Sequence, residues 1–289
     1  MIRKVIIPIA GLGTRFLPQS KILPKEFFPL VDKPIIQYII EEVINSGIKQ
    51  IVFVVNPERN LISDYFKSNS DLDKLLKRQN KNDFLSEIKK IESITKNISF
   101  SFVKQKKPLG NGHAILQAKN KIGKTEPYGV LFNDDVIISK TPCLFQLSQV
   151  FKTYQKPIIA LKKVPKDKVF HYGIVETEKI ANRFYKIKGI VEKPSVDSAP
   201  SNLAIIGRYI LTREVFAELE KIPLVKNKEM LLTDAFERML KNNKTIYGYE
   251  IEGEWMECGD KERWLKSNLA LSLRHLRFGP KLKSYLKQI

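Results

Sequence analysis

A chain of 289 residues is long enough for one large α/β domain with a filled core, or for two smaller domains sharing an interface. Its two cysteines, Cys143 and Cys258, stand far apart and in no CxxC pattern; this argues against a disulfide framework and a zinc knuckle and fits a reducing, cytoplasmic setting. The formal charge of +19 leaves three readings open: a nucleic-acid surface, a field that draws in polyanions such as triphosphates and sugar phosphates, or lysines dispersed over solvated faces.

Lys4 to Ile9 predicts a buried strand. The stretch Val5 to Leu12 is broken by Pro8 and Gly11 and followed at once by Arg15, so it reads as a strand entering a loop and not as a signal peptide. No apolar run approaches the roughly 18 residues that span a bilayer. Pro34 to Asn45 predicts a helix with proline in its first turn and Gly47 just past its end, and Gln50 to Val55 a second buried strand. Strand, crossover helix and strand in that order imply a parallel sheet with helices on its faces. Ile98 to Val103 and Gly129 to Phe132 extend it. Between them, the polar segment Ser68 to Lys96 carries Leu72, Leu75, Leu76, Phe84, Leu85, Ile88 and Ile91 at helical spacing and predicts an inserted helical hairpin.

Beyond about Pro142 the texture changes. Ile158 to Lys163, Gly173 to Val175, Phe184 to Val191 and Ala204 to Leu211 read as strands, and Lys228 to Lys241 and Asp260 to Leu273 as helices, a mixed-sheet elaboration. With no repeat, low-complexity tract or long linker between the halves, a single unit over residues 1–289 is expected.

Several segments offer chemistry. Ala10-Gly11-Leu12-Gly13-Thr14-Arg15-Phe16-Leu17-Pro18 follows the first strand, where loops at the carboxyl ends of parallel strands build ligand sites. Its glycines let backbone N–H groups approach phosphate, yet it matches neither GxxxxGK[ST] nor the full GxGxxG, so an ordinary tight turn stays open. Arg15, Lys21 and Lys25 are candidates to neutralise a triphosphate, with ordinary surface cations as the alternative. Gln105 and Gly110 stand five apart after a strand. An amide beside exposed backbone suits a pyrimidine edge, and equally a turn with a helix cap. Asp134 and Asp135 end a buried strand as metal ligands or as a cap. Glu192 and Lys193 suit sugar hydroxyls and a phosphate, or an exposed ion pair in a hairpin. His113, His171 and His275 form no ligand spacing, which argues against zinc.

Ala10 to Pro18, then Lys21, Pro24-Lys25-Glu26 and Pro29, then Asp32-Lys33-Pro34-Ile35-Ile36-Gln37-Tyr38, closely resemble the bacterial UTP–glucose-1-phosphate uridylyltransferases, or UDP-glucose pyrophosphorylases. The likeness covers nearly the whole chain and extends through Tyr172-Gly173-Ile174-Val175, Val191 to Pro194 and Ser201 to Tyr209. It implies a Rossmann-like, mixed and mainly parallel α/β sheet flanked by helices, with a sugar-binding β elaboration. Residues 1–141 would be mainly nucleotide-binding and 142–289 mainly sugar-phosphate-binding. By the same resemblance Ala10, Gly11, Gly13, Thr14, Glu26, Gln105 and Gly110 serve the nucleotide, and Arg15, Lys25 and Lys193 the reacting phosphates. Gly173, Glu192, Lys193, Ile205 and Tyr209 serve the sugar phosphate, and Asp134 and Glu257 a Mg²⁺ ion.

The implied reaction transfers UMP from UTP to glucose 1-phosphate and releases pyrophosphate. A cytoplasmic homo-oligomer with no nucleic-acid or membrane partner is expected. Two positions depart from the pattern: Glu257-Cys258-Gly259 stands where the family writes Asp-x-Gly, and Leu231 replaces a glutamine. They keep a non-catalytic regulatory paralogue in view, and because pyrimidine edges differ little, a nucleotidyltransferase for another pyrimidine nucleotide or sugar 1-phosphate also stays open.

Overall fold

The strand at Lys4–Ile9 (β1) is buried on both faces because its apolar side chains alternate between two cores. Val5, Ile7 and Ile9 enter one, and Ile6 the other. Fully burying one such side chain is worth about 1.5–3 kcal/mol, so a continuous β-branched run commits itself to a doubly covered, parallel position. The computed structural model describes residues 2–58, 61–96 and 98–289.

After β1, a small hairpin of two-residue strands, β2 (Pro29–Leu30) and β3 (Lys33–Pro34), leads into α1 (Ile35–Asn45). β4 (Gln50–Val55) follows, then the short α2 (Ile62–Phe66) and the inserted pair α3 (Ser70–Arg78) and α4 (Asn82–Ile94). The expected helical hairpin is thus present. Asn69 caps α3 by accepting from Leu72 N at 3.1 Å, and Lys89 ties the two helices through Asp73. Next come β5 (Ser99–Lys104), α5 (Asn111–Gln117), β6 (Tyr128–Leu131), β7 (Asp135–Ile138) and α6 (Cys143–Tyr154). The second half contributes β8 (Ile158–Lys163), β9 (Gly173–Ala181), β10 (Phe184–Glu192) and β11 (Leu203–Leu211). α7 (Arg213–Glu220), α8 (Leu232–Lys241), β12 (Tyr247–Glu250), β13 (Glu254–Glu257), α9 (Lys261–Arg274) and α10 (Gly279–Leu286) complete it.

Nine strands join in the order β5-β4-β1-β6-β11-β8-β12-β10-β9. β5, β4, β1 and β6 run parallel; β11 then pairs antiparallel with both β6 and β8, and the far edge is the β9–β10 hairpin. The sheet is therefore mixed, with its parallel part at the N-terminal end. α1 and α6 cover one face, and α5, α7 and α8 the other. β7 and β13 form a separate two-stranded ladder next to the carboxyl end of β6.

Two expected strand or helix boundaries differ by more than one residue. The strand at Gly173 runs on to Ala181, since its hairpin partner β10 offers a ladder along that whole length. The helix expected from Lys228 begins only at Leu232. Its first residues are spent on the segment preceding α5: Met230 N donates to Leu109 O at 2.8 Å, and Gly112 N to Met230 O at 2.9 Å. Among the described residues no helix is long and apolar enough to cross a membrane.

Candidate active site

The loop after β1, the segment between β5 and α5, and the stretch before α8 enclose a cavity of about 370 Å³. Ala10, Gly11, Thr14, Arg15, Lys25, Gln105, Gly110 and Asp134 all line it. A Cβ added to Gly11 would meet nothing within 4 Å, so its backbone faces open space. Gly110 is required by its surroundings: its φ is +103°, and a Cβ there would lie 2.4 Å from the Met230 carbonyl oxygen. Gln105 is buried, its Nε2 donating to Gly110 O at 3.2 Å and lying 2.8 Å from His113 Nδ1.

The acidic end of the cavity is built on the turn Phe132-Asn133-Asp134 between β6 and β7. Lys25 Nζ donates to Asp134 Oδ2 at 2.8 Å, and Arg15 Nη2 stands 4.0 Å from the same oxygen. Burial pushes the Asp134 carboxyl upward, but Lys25 and then Arg15 outweigh it and hold the group below the usual carboxylate range. Asp135 points the other way, accepting from Trp255 Nε1 at 2.6 Å and Gly207 N at 2.9 Å. Burial, and then its neighbour Asp134, raise its pKa.

Beneath the turn lies Arg208, fully buried on β11. Its guanidinium pairs with Glu42 of α1 at 3.0 Å and donates to Phe132 O at 2.9 Å, to Gly207 O at 3.0 Å and to Asp135 O. One cation thus holds the carbonyls on both sides of Asn133-Asp134. β11 is irregular between Ile205 and Tyr209, where Gly207 lets it approach: a Cβ there would lie 2.4 Å from Asp135 Oδ2.

A second cavity of about 190 Å³ continues from the first and shares Arg15, Asn111, Phe132 and Asp134 with it. Gly173, Glu192, Ile205, Tyr209 and Glu257 form its walls. Gly173 and Glu192 are ladder partners at the open end of the β9–β10 hairpin. Partial burial raises the Glu192 pKa, opposed by Lys193 and helped by Asp234 and Glu237. Glu257 accepts from Tyr172 OH at 2.6 Å and pairs with Arg263 at 3.0 Å.

Two connected cavities with cations and a low-pKa carboxylate where they meet suit two anionic substrates that must be joined. The sequence profile of nucleotidyl transferases matches residues 4–272. The chain belongs to the nucleotidyl transferase family. Within this family, the UTP--glucose-1-phosphate uridylyltransferases of Staphylococcus epidermidis and Staphylococcus haemolyticus are each 39% identical to it over 288 residues, covering 100% of this chain and 98% of theirs. The UTP-bound UGPase from Acinetobacter baumannii superposes with a TM-score of 0.91 at 36% identity over 100% of both chains. A UDP-glucose pyrophosphorylase complexed with UDP-glucose does so with a TM-score of 0.84 at 37% identity, over 95% of this chain and 100% of that one.

Of the candidates named from the sequence of this nucleotidyl transferase, Gly13, Lys21, Glu26 and Lys193 line neither cavity. Gly13 sits behind the loop, where its carbonyl accepts from Ser20 Oγ at 2.8 Å. Glu26 is buried, 3.5 Å from Asn133 Nδ2. Lys193 closes β10 in a left-handed conformation, φ 48°, its N–H donating to Tyr172 O at 2.9 Å and its side chain exposed beside Glu192. Asn111, Arg208, Trp255 and Arg263 join or support the site without having been singled out. Asn111 follows Gly110 directly, and its Oδ1 accepts from Leu232 N at 2.8 Å. Arg263 lies one helical turn past Asp260, whose carboxylate caps α9. Arg208 carries one signal in the sequence, a charge in the middle of an otherwise apolar strand. Leu231 lines the second cavity, and its N–H donates to Asp234 Oδ2 at 2.9 Å, so the start of α8 keeps the carboxylate half of a capping box without a polar cap.

Proposed function

We propose that this protein transfers UMP from UTP to α-D-glucose 1-phosphate, giving UDP-glucose and pyrophosphate. The observation that carries the reading is the meeting of Arg15, Lys25 and Asp134 at the junction of the two cavities. Full-length likeness to proteins named for this reaction supports it. The first cavity takes the nucleotide: Ala10, Gly11, Thr14 and Gly110 offer backbone or close approach, Gln105 reads the base, and Gly13 and Glu26 shape the loop from behind. The second takes the sugar phosphate, with Gly173, Glu192, Ile205 and Tyr209 about the glucose and Lys193 swinging in from the rim toward its phosphate. Residues 1–141 supply most of the nucleotide side and 142–289 most of the sugar side.

The reaction is an in-line displacement. An oxygen of the glucose 1-phosphate dianion bonds to the α-phosphorus of UTP, the bond from that phosphorus to the bridging oxygen breaks, and its electron pair leaves with pyrophosphate. The attacker is already an anion, so no general base is required; what the chain supplies is position and charge. Lys25 and Arg15 lie where charge accumulates on the leaving phosphates, and the fork of Arg15 can hold two oxygens together. Lys193 holds the attacking phosphate. Asp134, kept ionised by its neighbours, and Glu257 are hard oxygen donors, and the donor set lacks imidazole and thiolate, which fits Mg²⁺. Held by these carboxylates, Mg²⁺ would supply Lewis-acid neutralisation of phosphate charge. Arg263 and Tyr172 hold the longer Glu257 side chain in place, so its extra methylene is accommodated by two contacts.

A cytoplasmic location fits the two buried free thiols. A homo-oligomer fits the exposed Leu265, Leu269, Leu276 and Leu286 of the C-terminal helices and their connection. Lys25→Ala is expected to lower turnover by on the order of 10² or more with the circular dichroism spectrum unchanged. Near-normal turnover of a folded Lys25→Ala or Lys193→Ala enzyme would contradict the role given to that lysine.

A further inference from the structure

The Gln105 side chain ends in an amide whose two faces are chemically opposite, and its orientation decides what a base meets. Its Nε2 lies 3.2 Å from the Gly110 carbonyl oxygen, which can only accept, so that end of the amide must be the NH₂ group. The same nitrogen lies 2.8 Å from His113 Nδ1. A ring nitrogen facing a donor must carry its lone pair, which places the imidazole proton on Nε2; Gln117 presents its Nε2 there at 3.1 Å, also a donor, and this exposed amide must turn over to offer Oε1 as the acceptor. Burial lowers the His113 pKa and keeps the ring neutral. Gln105 Oε1 accepts from no donor among the described residues and is the end of the amide left to the cavity that Gln105 lines.

Building on the base-reading role given to Gln105 above, we propose that His113 is a positioning residue for nucleotide selection. By holding the Gln105 NH₂ group, it keeps the carbonyl oxygen toward the base and favours pyrimidines that carry a hydrogen on ring nitrogen 3, as uracil does, over cytosine, which has a lone pair there. Without His113 the amide keeps one anchor, Gly110 O, and turns over more readily to present NH₂, the group that suits cytosine.

The test compares kcat/KM for UTP and CTP in pyrophosphate release by the Mg²⁺-supplemented wild type, Gln105→Ala, His113→Leu and His113→Asn. The last variant places an amide oxygen near the position of Nδ1. His113→Leu should lower the UTP-to-CTP preference by about tenfold, the scale of one orienting hydrogen bond, mainly through KM for UTP and with kcat little changed. His113→Asn should restore most of the preference, a rescue that loss of packing alone does not explain. If His113→Leu fails to fold, His113→Ala reads the same ratio. An unchanged preference in the folded Leu or Ala variant, or an equal loss in His113→Asn, overturns the role of His113. A preference unchanged in Gln105→Ala overturns the base-reading assignment itself and the inference with it. Loss in Gln105→Ala beside no change at His113 removes the inference alone.

Discussion

Arg208 and Glu42 form a charge pair almost wholly removed from water, at 0% and 7% side-chain exposure. Such a pair is weak support for stability, because desolvation offsets much of the attraction, yet removing one partner strands the other. Arg208→Met is therefore expected to destabilise the fold by about 3–5 kcal/mol, read as a shift in the urea midpoint. Replacing both, as Arg208→Met with Glu42→Leu, should recover much of that stability. Turnover should stay low in the double variant, since nothing then holds the Phe132 and Asp135 carbonyls on either side of Asp134. A double variant with normal turnover would reduce the pair to packing. Lys25, Arg15 and Asp134 could be picked out through the family resemblance, since the residues alone also allowed surface cations and a helix cap; the structure brings the three together. Lys193, named through the resemblance for the sugar phosphate, is exposed at the end of β10 and lines neither cavity.

At the scale of elements, β1, β4 and β8 are legible to the residue: each centres on a run of buried apolar side chains, whose one stable environment is the middle of a covered sheet. The start of α8 is not legible, because the four residues before it have helical composition, and one of them, Met230, is claimed by hydrogen bonds to a segment more than 100 positions earlier. The α3–α4 hairpin is readable from its spacing, although it buries little. Leu75 and Phe84 remain 48% and 54% exposed. Leu75→Ser and Phe84→Ser should accordingly change unfolding free energy by no more than about 0.5 kcal/mol, whereas Ile91→Ala, at a partly buried position packed against the core, should cost more. Chemical denaturation of the three variants separates them. A large loss at Leu75 or Phe84 would mean that the outer face of the hairpin is covered by something in solution.

At the scale of the whole molecule, neither half holds the site alone. The loop after β1 comes from the parallel part of the sheet, the second cavity draws on the antiparallel part, and β11 joins them while carrying Ile205, Gly207, Arg208 and Tyr209. The net charge of +19 gives no partner by itself, but it suits an enzyme whose two substrates are both polyanions that must be drawn together. In the proposed reading a single amide and its supports separate the pyrimidine nucleotides, so identity of the base is the point where the proposed activity is most exposed to test. The direct measurement is pyrophosphate release by the purified protein with Mg²⁺, glucose 1-phosphate and, in turn, UTP, dTTP, CTP, ATP and GTP. Rapid release with UTP and much slower release with the others is the expected result, with Glu257 and Leu231 tolerated in the site. Silence with every triphosphate from folded protein, also with other sugar 1-phosphates, would contradict it and make the chain a binding relative of the enzymes it resembles.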